Sequence, residues 1–231
     1  MKAIHRILPA CVFVLVLALA AAVTACSIGA GAPERYYVLD PVPPSPSSPE
    51  ASAAAAAEAS PLLVTPTTAA GFYDAQAIVY SQSAGTRAYY QLNNWTEPPS
   101  RRLGVLLTER LRRSGAFGSV TTATGGARGA LVLDTRLDEI YHDAATRPGT
   151  AKISLTATLS DPARRVVAGQ HRFSASAPVP TADAAGAVQA FDVALGPLLD
   201  EVVAWAGQTA AQSRTEPETP FPKEQSAAAV R

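Results

Sequence analysis

Residues 152–175 read KISLTATLSDPARRVVAGQHRFSA, two alternating stretches joined by a short polar connection. In the first, Ile153, Leu155, Ala157 and Leu159 alternate with Lys152, Ser154, Thr156, Thr158 and Ser160. In the second, Val167, His171, Phe173 and Ala175 face away from Gln170, Arg172 and Ser174. Successive side chains of a strand point to opposite faces, so each stretch predicts a strand with one apolar and one polar side. The gap SDPARR has the length of a hairpin connection and makes the two strands antiparallel neighbours. Upstream, Leu131, Leu133 and Leu137 alternate in the same way with Asp134, Arg136 and Asp138. A sheet with one wet face follows.

The apolar face needs a cover, and two segments with helical period supply it. In TEPPSRRLGVLLTERLRRSGAF, residues 96–117, Leu103, Leu106, Leu107 and Leu111 recur at helical spacing. Pro98 and Pro99 suit the opening of this helix, Glu109 can pair with Arg113 one turn on, and Gly115 suits its end. From about Thr181 to Ser213, Val188, Phe191, Leu195, Leu198, Leu199, Val202 and Trp205 or Ala206 trace a second stripe. Gly196-Pro197 should bend or split that helix. Shorter strands are expected at Tyr36–Leu39, Leu62–Thr65, Gln76–Gln82, TRAYYQLNNW (86–95) and SVTTAT (119–124). The expected fold is therefore α+β, a mostly antiparallel sheet with two main helices packed on one face.

The ends of the chain are of another kind. Lys2, His5 and Arg6 precede the apolar run ILPACVFVLVLALAAAV, the layout of a secretion signal over residues 1–25. The run after Pro9 is shorter than the ~20 residues a membrane span needs. Val23-Thr24-Ala25-Cys26 resembles the lipobox of bacterial lipoproteins, in which the cysteine is acylated and becomes the first mature residue. Multiple acyl chains at ~0.8 kcal/mol per buried methylene hold such a protein stably on a membrane. Cys26 is thus the candidate lipidation site, a covalent lipid takes the place of a cofactor, and Cys11 leaves with the signal.

The mature chain would keep 17 basic against 19 acidic side chains once Lys2 and Arg6 are removed, and so offers no basic field for nucleic acid. Residues 26–60 combine the acylated terminus, a short strand and a linker. Of the twenty residues Pro41 to Ser60, five are Pro, five Ser and seven Ala, too few large apolar groups to offset ordering entropy. The main domain is expected over residues 61–213, and residues 214–231, with three prolines and no apolar period, read as a disordered tail.

Reactive constellations are scarce. Only His142 and His171 remain in the mature chain. His171, beside Phe173 on the apolar side, reads as a core histidine. His142 lies among Asp138, Glu139, Tyr141 and Asp143, either a carboxylate and imidazole cluster for a metal or a hydrolase, or the polar end of a strand. The second reading is preferred, since no ligand spacing backs the first. The glycine-rich TGGARGA lacks the following helix that phosphate binding requires. No metal and no catalytic residue is assigned, and a non-enzyme is expected. Tyr80, Tyr89, Tyr90 and Trp95 crowd ahead of the first helix, either as core or as a contact surface for a protein or acyl chain.

The stretch from Ala77 to Val120 resembles the ABC-type transport auxiliary lipoproteins, a family with PqiC-like members. The lipobox, YYVLDP at Tyr36 to Pro41, the linker, the IVY strand, the Trp95-to-Pro98 turn and a closing helix near Trp205 follow in the family's order. The resemblance implies a periplasmic, lipid-tethered, non-catalytic partner of an MCE-type system: an ABC permease and ATPase with an MCE protein crossing the periplasm, linked to phospholipid traffic and envelope integrity. It also implies assembly of several copies into a ring. Ser27, where Asp commonly causes inner-membrane retention, favours outer-membrane sorting. Tyr89, Tyr90, Trp95, Glu97 and Pro98 are the candidate partner-binding residues, with helix initiation an equal role for the last three. A stand-alone outer-membrane lipid carrier is the alternative.

Overall fold

In the computed structural model, residues 32–41, 59–122 and 131–215 are described. The signal sequence, Cys26, most of the Pro, Ala and Ser stretch, the TGGARGA segment and the tail from residue 216 lie outside the described residues. Residues from Tyr36 onward form one compact unit.

Nine strands make one sheet: β1 (Arg35–Tyr37), β2 (Leu62–Val64), β3 (Thr68–Ala69), β4 (Ala77–Ser81), β5 (Ala88–Trp95), β6 (Val120–Thr122), β7 (Leu131–Asp143), β8 (Thr150–Asp161) and β9 (Val166–Pro178). Among the described residues the helices are α1 (Pro99–Ser114) and α2 (Ala184–Thr215). The long strand β7 organises them. One of its edges carries β8 antiparallel along nearly its whole length, and β9 follows antiparallel beyond it. Three short strands share the other edge in succession, all parallel: β2 beside Leu131–Leu133, β3 beside Arg136–Leu137 and β4 beside His142–Asp143. β6 then flanks β2, β5 flanks β4, and β1 flanks β5. The architecture is α+β, with the long ladders antiparallel and the parallel pairings confined to short strands.

The alternation in β7 and β8 does what the pattern predicts. Leu133, Leu137, Leu155, Ala157 and Leu159 are wholly buried under the helices. A register shift between Leu137 and Glu139 inserts Asp138 as an extra residue, so Asp138 and Glu139 both leave the core and Ile140 and His142 return to it. His142 is therefore not the polar end of a strand. It is fully buried, opposite Ala151 of β8. His171 differs in the opposite sense: it lies on the apolar side, against Phe173 at 4.6 Å and Trp205 at 6.4 Å, yet is exposed, because β9 is the edge strand. In the β8–β9 connection the Asp161 carboxylate accepts from the backbone N–H groups of Ala163 and Arg164, which fixes the turn.

The helix signals are local and are met. Pro99 opens α1, Gly115 closes it at φ 65°, and Glu109 accepts from Arg113 at 2.6 Å. Leu103, Leu107 and Leu111 point into the core. Asp183 starts α2 by accepting from the N–H of Gly186 at 2.8 Å. Pro197 does not split α2. It and Val193, whose carbonyl loses its helical partner, both face solvent, where water can satisfy that oxygen. Between the two helices Arg110, buried, donates to Asp200 at 2.7 Å.

The strand expected near Tyr36 is part of the sheet. The Pro, Ala and Ser stretch from Pro41 to Ser60 thus joins two strands of a single sheet, β1 and β2.

Phe191 of α2 is 1% exposed and meets the Trp95 ring at 5.8 Å. Phe191→Ala is expected to cost about 3–5 kcal/mol, read as a fall in the urea midpoint with an unchanged slope.

Candidate functional site

The predicted contact residues do not share one surface, and the reason is a bulge in β5. Its ladder with β4 passes from Tyr89 opposite Val79 to Asn94 opposite Ala77, so β5 holds surplus residues there. Leu92 takes a left-handed conformation at φ 58°. Simple alternation would set Tyr89 and Trp95 on one face. Instead Tyr89 lies at the surface, stacked on Phe72 at 4.4 Å with its hydroxyl donating to the Phe72 carbonyl. Trp95 is 2% exposed and belongs to the core. Glu97 and Pro98 are half-buried. Glu97 pairs with Arg101 at 3.5 Å, and the Pro98 carbonyl accepts from the N–H groups of Arg101 and Arg102, so both build the start of α1.

Tyr90 turns inward, leans on Tyr80 at 4.7 Å and reaches His142 Nδ1 at 2.7 Å. Nε2 of the same ring lies 2.8 Å from the Pro148 carbonyl. A carbonyl can only accept, so Nε2 carries the proton and Nδ1 accepts from the tyrosine hydroxyl. Burial, with Asp183 and Tyr80 adding to it, pushes the Tyr90 hydroxyl up to about 12, and it remains a donor at neutral pH. Gly149, at φ 101°, passes so close to His142 Nε2 and the Asp143 carbonyl that a Cβ would collide with both. The histidine singled out as a metal or hydrolase candidate is the centre of a satisfied buried network.

Its acidic neighbours are committed elsewhere on the wet face. Asp143 pairs with Lys152 at 2.7 Å, and that hydrogen bond holds its carboxyl below the usual range. Asp138 accepts from Thr156 at 2.6 Å and from Arg136 at 2.7 Å. Glu139 pairs with Arg87, whose guanidinium covers the Tyr141 ring at 3.7 Å and donates to the Tyr73 hydroxyl. Among the described residues no group of three or more His, Cys, Asp or Glu could hold a metal ion.

Two other features stand out. A cleft of about 470 Å³ runs between α1 and the segment after β2, with Val64, Pro66, Gly104 and Val105 in its wall and Arg101 and Arg112 at its margin. The chain just after β1 is clamped to both helices. The Tyr37 carbonyl accepts from Thr96 N–H at 2.8 Å, and Arg102 donates to the Leu39 carbonyl at 2.9 Å and to the Asp40 carboxylate at 3.0 Å. Asp40 N–H donates to Asp192 of α2 at 2.8 Å. Burial raises the Asp192 carboxyl above its usual value, outweighing the lowering by the Asp40 N–H and Arg102. No local pattern marks this clamp, because its partners are distant in sequence. The doubled polar pair Asp138-Glu139 in an otherwise alternating strand is the signal that would have placed His142.

The sequence model described as "ABC-type transport auxiliary lipoprotein component" matches residues 37–203, well over half of the chain. The chain belongs to that family. The match starts within β1 and ends within α2, so it spans the clamp, the bulged β5, all of α1 and the first part of α2. Protein XCC0632 from Xanthomonas campestris, of the family DUF330, is similar in structure to this auxiliary lipoprotein. Its TM-score is 0.65 at 22% identity, covering 79% of this chain and 100% of that one. The crystal structure of an uncharacterized protein gives 0.52 at 16% identity over 79% and 98%. Both likenesses concern the fold. No curated protein matches the chain.

Tyr90→Phe leaves His142 Nδ1 buried without its donor and is expected to cost about 1–3 kcal/mol in urea unfolding. For Asp192, a native pKa raised above the unfolded value gives stabilisation that is complete below 3.8 and lost as pH rises through the native value. Thermal melts from pH 3.8 to neutrality should therefore show the wild type losing stability relative to Asp192→Asn as pH rises.

Proposed function

We propose that this auxiliary lipoprotein is a non-catalytic, lipid-anchored periplasmic component of an MCE-type ABC transport system. It would stand at the outer membrane, acylated on Cys26, and dock the MCE protein that serves the permease and ATPase, in support of phospholipid transport and envelope integrity. The observation that carries this reading is the family match over residues 37–203, joined to the lipobox Val23-Thr24-Ala25-Cys26 ahead of it. The histidine and carboxylates of β7 are engaged in structural contacts, which fits a binding role better than a hydrolytic one. Tyr89 and Phe72, stacked and both partly exposed beside Tyr80 and Tyr90, are the best-placed aromatic contact for a protein partner.

The test is a crosslinking pull-down from native envelopes with the wild type and Cys26→Ala. Recovery of an MCE protein and permease with the wild type, lost with the variant, is the expected outcome. No transporter component with an intact anchor would overturn the reading.

A second reading, an outer-membrane lipid carrier working alone, draws on the apolar cleft beside α1, whose 470 Å³ would admit part of an acyl chain. Mass spectrometry of the purified protein should then find bound phospholipid, and its absence removes this reading.

A further inference from the structure

The reach of the domain is set by a short piece of chain. Thr96 already holds Tyr37, and Arg102 and Asp192 hold Leu39 and Asp40. The Pro, Ala and Ser stretch begins after this clamp and leads into β2, so it adds nothing to the distance between Cys26 and the fold. From Cys26 to Tyr36 there are ten residue steps, at most about 35 Å of extended chain. The sheet runs β1-β5-β4-β7-β8-β9, which puts the β9 edge five strand spacings, roughly 24 Å, from β1. The edge formed by β1 and β5 is the one the chain from Cys26 enters first, and so lies nearest the anchor along the chain.

That edge exposes three large apolar side chains among polar ones such as Arg35 and Gln91. Tyr36, Val38 and Leu92 are 58%, 50% and 44% exposed. They belong to paired strands and the residue that follows, and Tyr37 reaches Asn93, the neighbour of Leu92, across the pair. Leu92 is the informative residue. A leucine in left-handed backbone is strained, and here the strain holds an isobutyl group out of the core rather than in it. The same bulge lets Trp95 reach the core, and it leaves the Leu92 side chain outside, where an external apolar phase would take it up.

We propose that the β1–β5 edge makes a second, non-covalent contact with the lipid surface, with Leu92 and Val38 entering the boundary between headgroups and acyl chains and Tyr36 at headgroup level. This inference rests on acylation of Cys26. Once the lipid is inserted, contact by the edge is intramolecular, and a few apolar side chains suffice at the high local concentration a short tether gives. Membrane contact would fix the orientation of the domain and turn the β9 edge and the α2 end away from the bilayer, toward the periplasm.

The test uses the full mature lipoprotein, purified from membranes and reconstituted in vesicles of phosphatidylethanolamine and phosphatidylglycerol carrying brominated acyl chains. Leu92→Cys and, as the distal control, Val167→Cys are labelled with an environment-sensitive fluorophore, and each variant is checked for cooperative unfolding. Quenching at position 92 about twofold or more above that at 167 is expected. A label on Val38→Cys should show the same quenching and lose part of it when Leu92→Gly is added, a change that relieves backbone strain and so leaves the fold intact. Equal quenching at 92 and 167 in protein that carries acyl mass and sediments with the vesicles overturns the contact alone. Protein without acyl mass overturns the anchor reading, and the contact falls with it.

Discussion

The antiparallel ladder between Leu131–Asp143 and Thr150–Asp161 is the interaction on which the rest of this fold depends. It supplies a long template in the middle of the sheet, and three strands too short to stand alone are aligned along its free edge. Strands of two to five residues bury little by themselves and cannot hold a register. Pinned to one template, they bring residues from the first third of the chain under the same two helices as the hairpin from the last third. The extra residue at Asp138 is part of this template. It shifts the phase of the strand by one, which turns His142 inward to meet Tyr90 and sends Asp138 and Glu139 out to the arginines of the wet face.

This division explains what could be read from the sequence. Features set by neighbouring residues were legible: the hairpin through its two alternating strands and Asp161 turn, α1 through its leucine stripe between Pro99 and Gly115, and α2 through its long apolar stripe. The parallel pairing of β2 and β3 was not, because a two- or three-residue strand shows no period and its partner lies some seventy residues away. Both bulges defeated the pattern in the same way. One made a buried histidine look like a polar strand end, and the other separated Tyr89 from Trp95, which simple alternation would place together. The role of Pro197 was also decided by context, since a helix tolerates a proline whose orphaned carbonyl faces water.

The candidate site was legible only in outline. Crowding of Tyr80, Tyr89, Tyr90 and Trp95 marked the right part of the chain, but a count of aromatic residues cannot separate a ring in the core from one stacked at the surface. Tyr89 on Phe72 and Tyr90 on His142 show both fates in adjacent residues. The polar contacts there explain why the region can be rigid while lying near an edge. Tyr90 donates, His142 accepts and passes its other hydrogen to Pro148, and no buried side-chain nitrogen or oxygen among the described residues lacks a partner. A docking surface benefits from such rigidity, because side chains already ordered lose less entropy when a partner arrives.

The clamp around Leu39 and Asp40 ties this architecture to the way the protein is held. Had the first strand been free, the Pro, Ala and Ser stretch would have governed how far the domain stands from its lipid. With Arg102 and Asp192 gripping the chain before that stretch begins, a lipid on Cys26, as proposed, would be separated from the fold only by the few residues between Cys26 and Tyr36. The strand that follows Cys26 in the chain is hydrogen bonded to β5, so the point at which the fold is held lies at that edge of the sheet. On the proposed docking role such a restriction would help, because less rotational freedom remains to be lost when a partner binds.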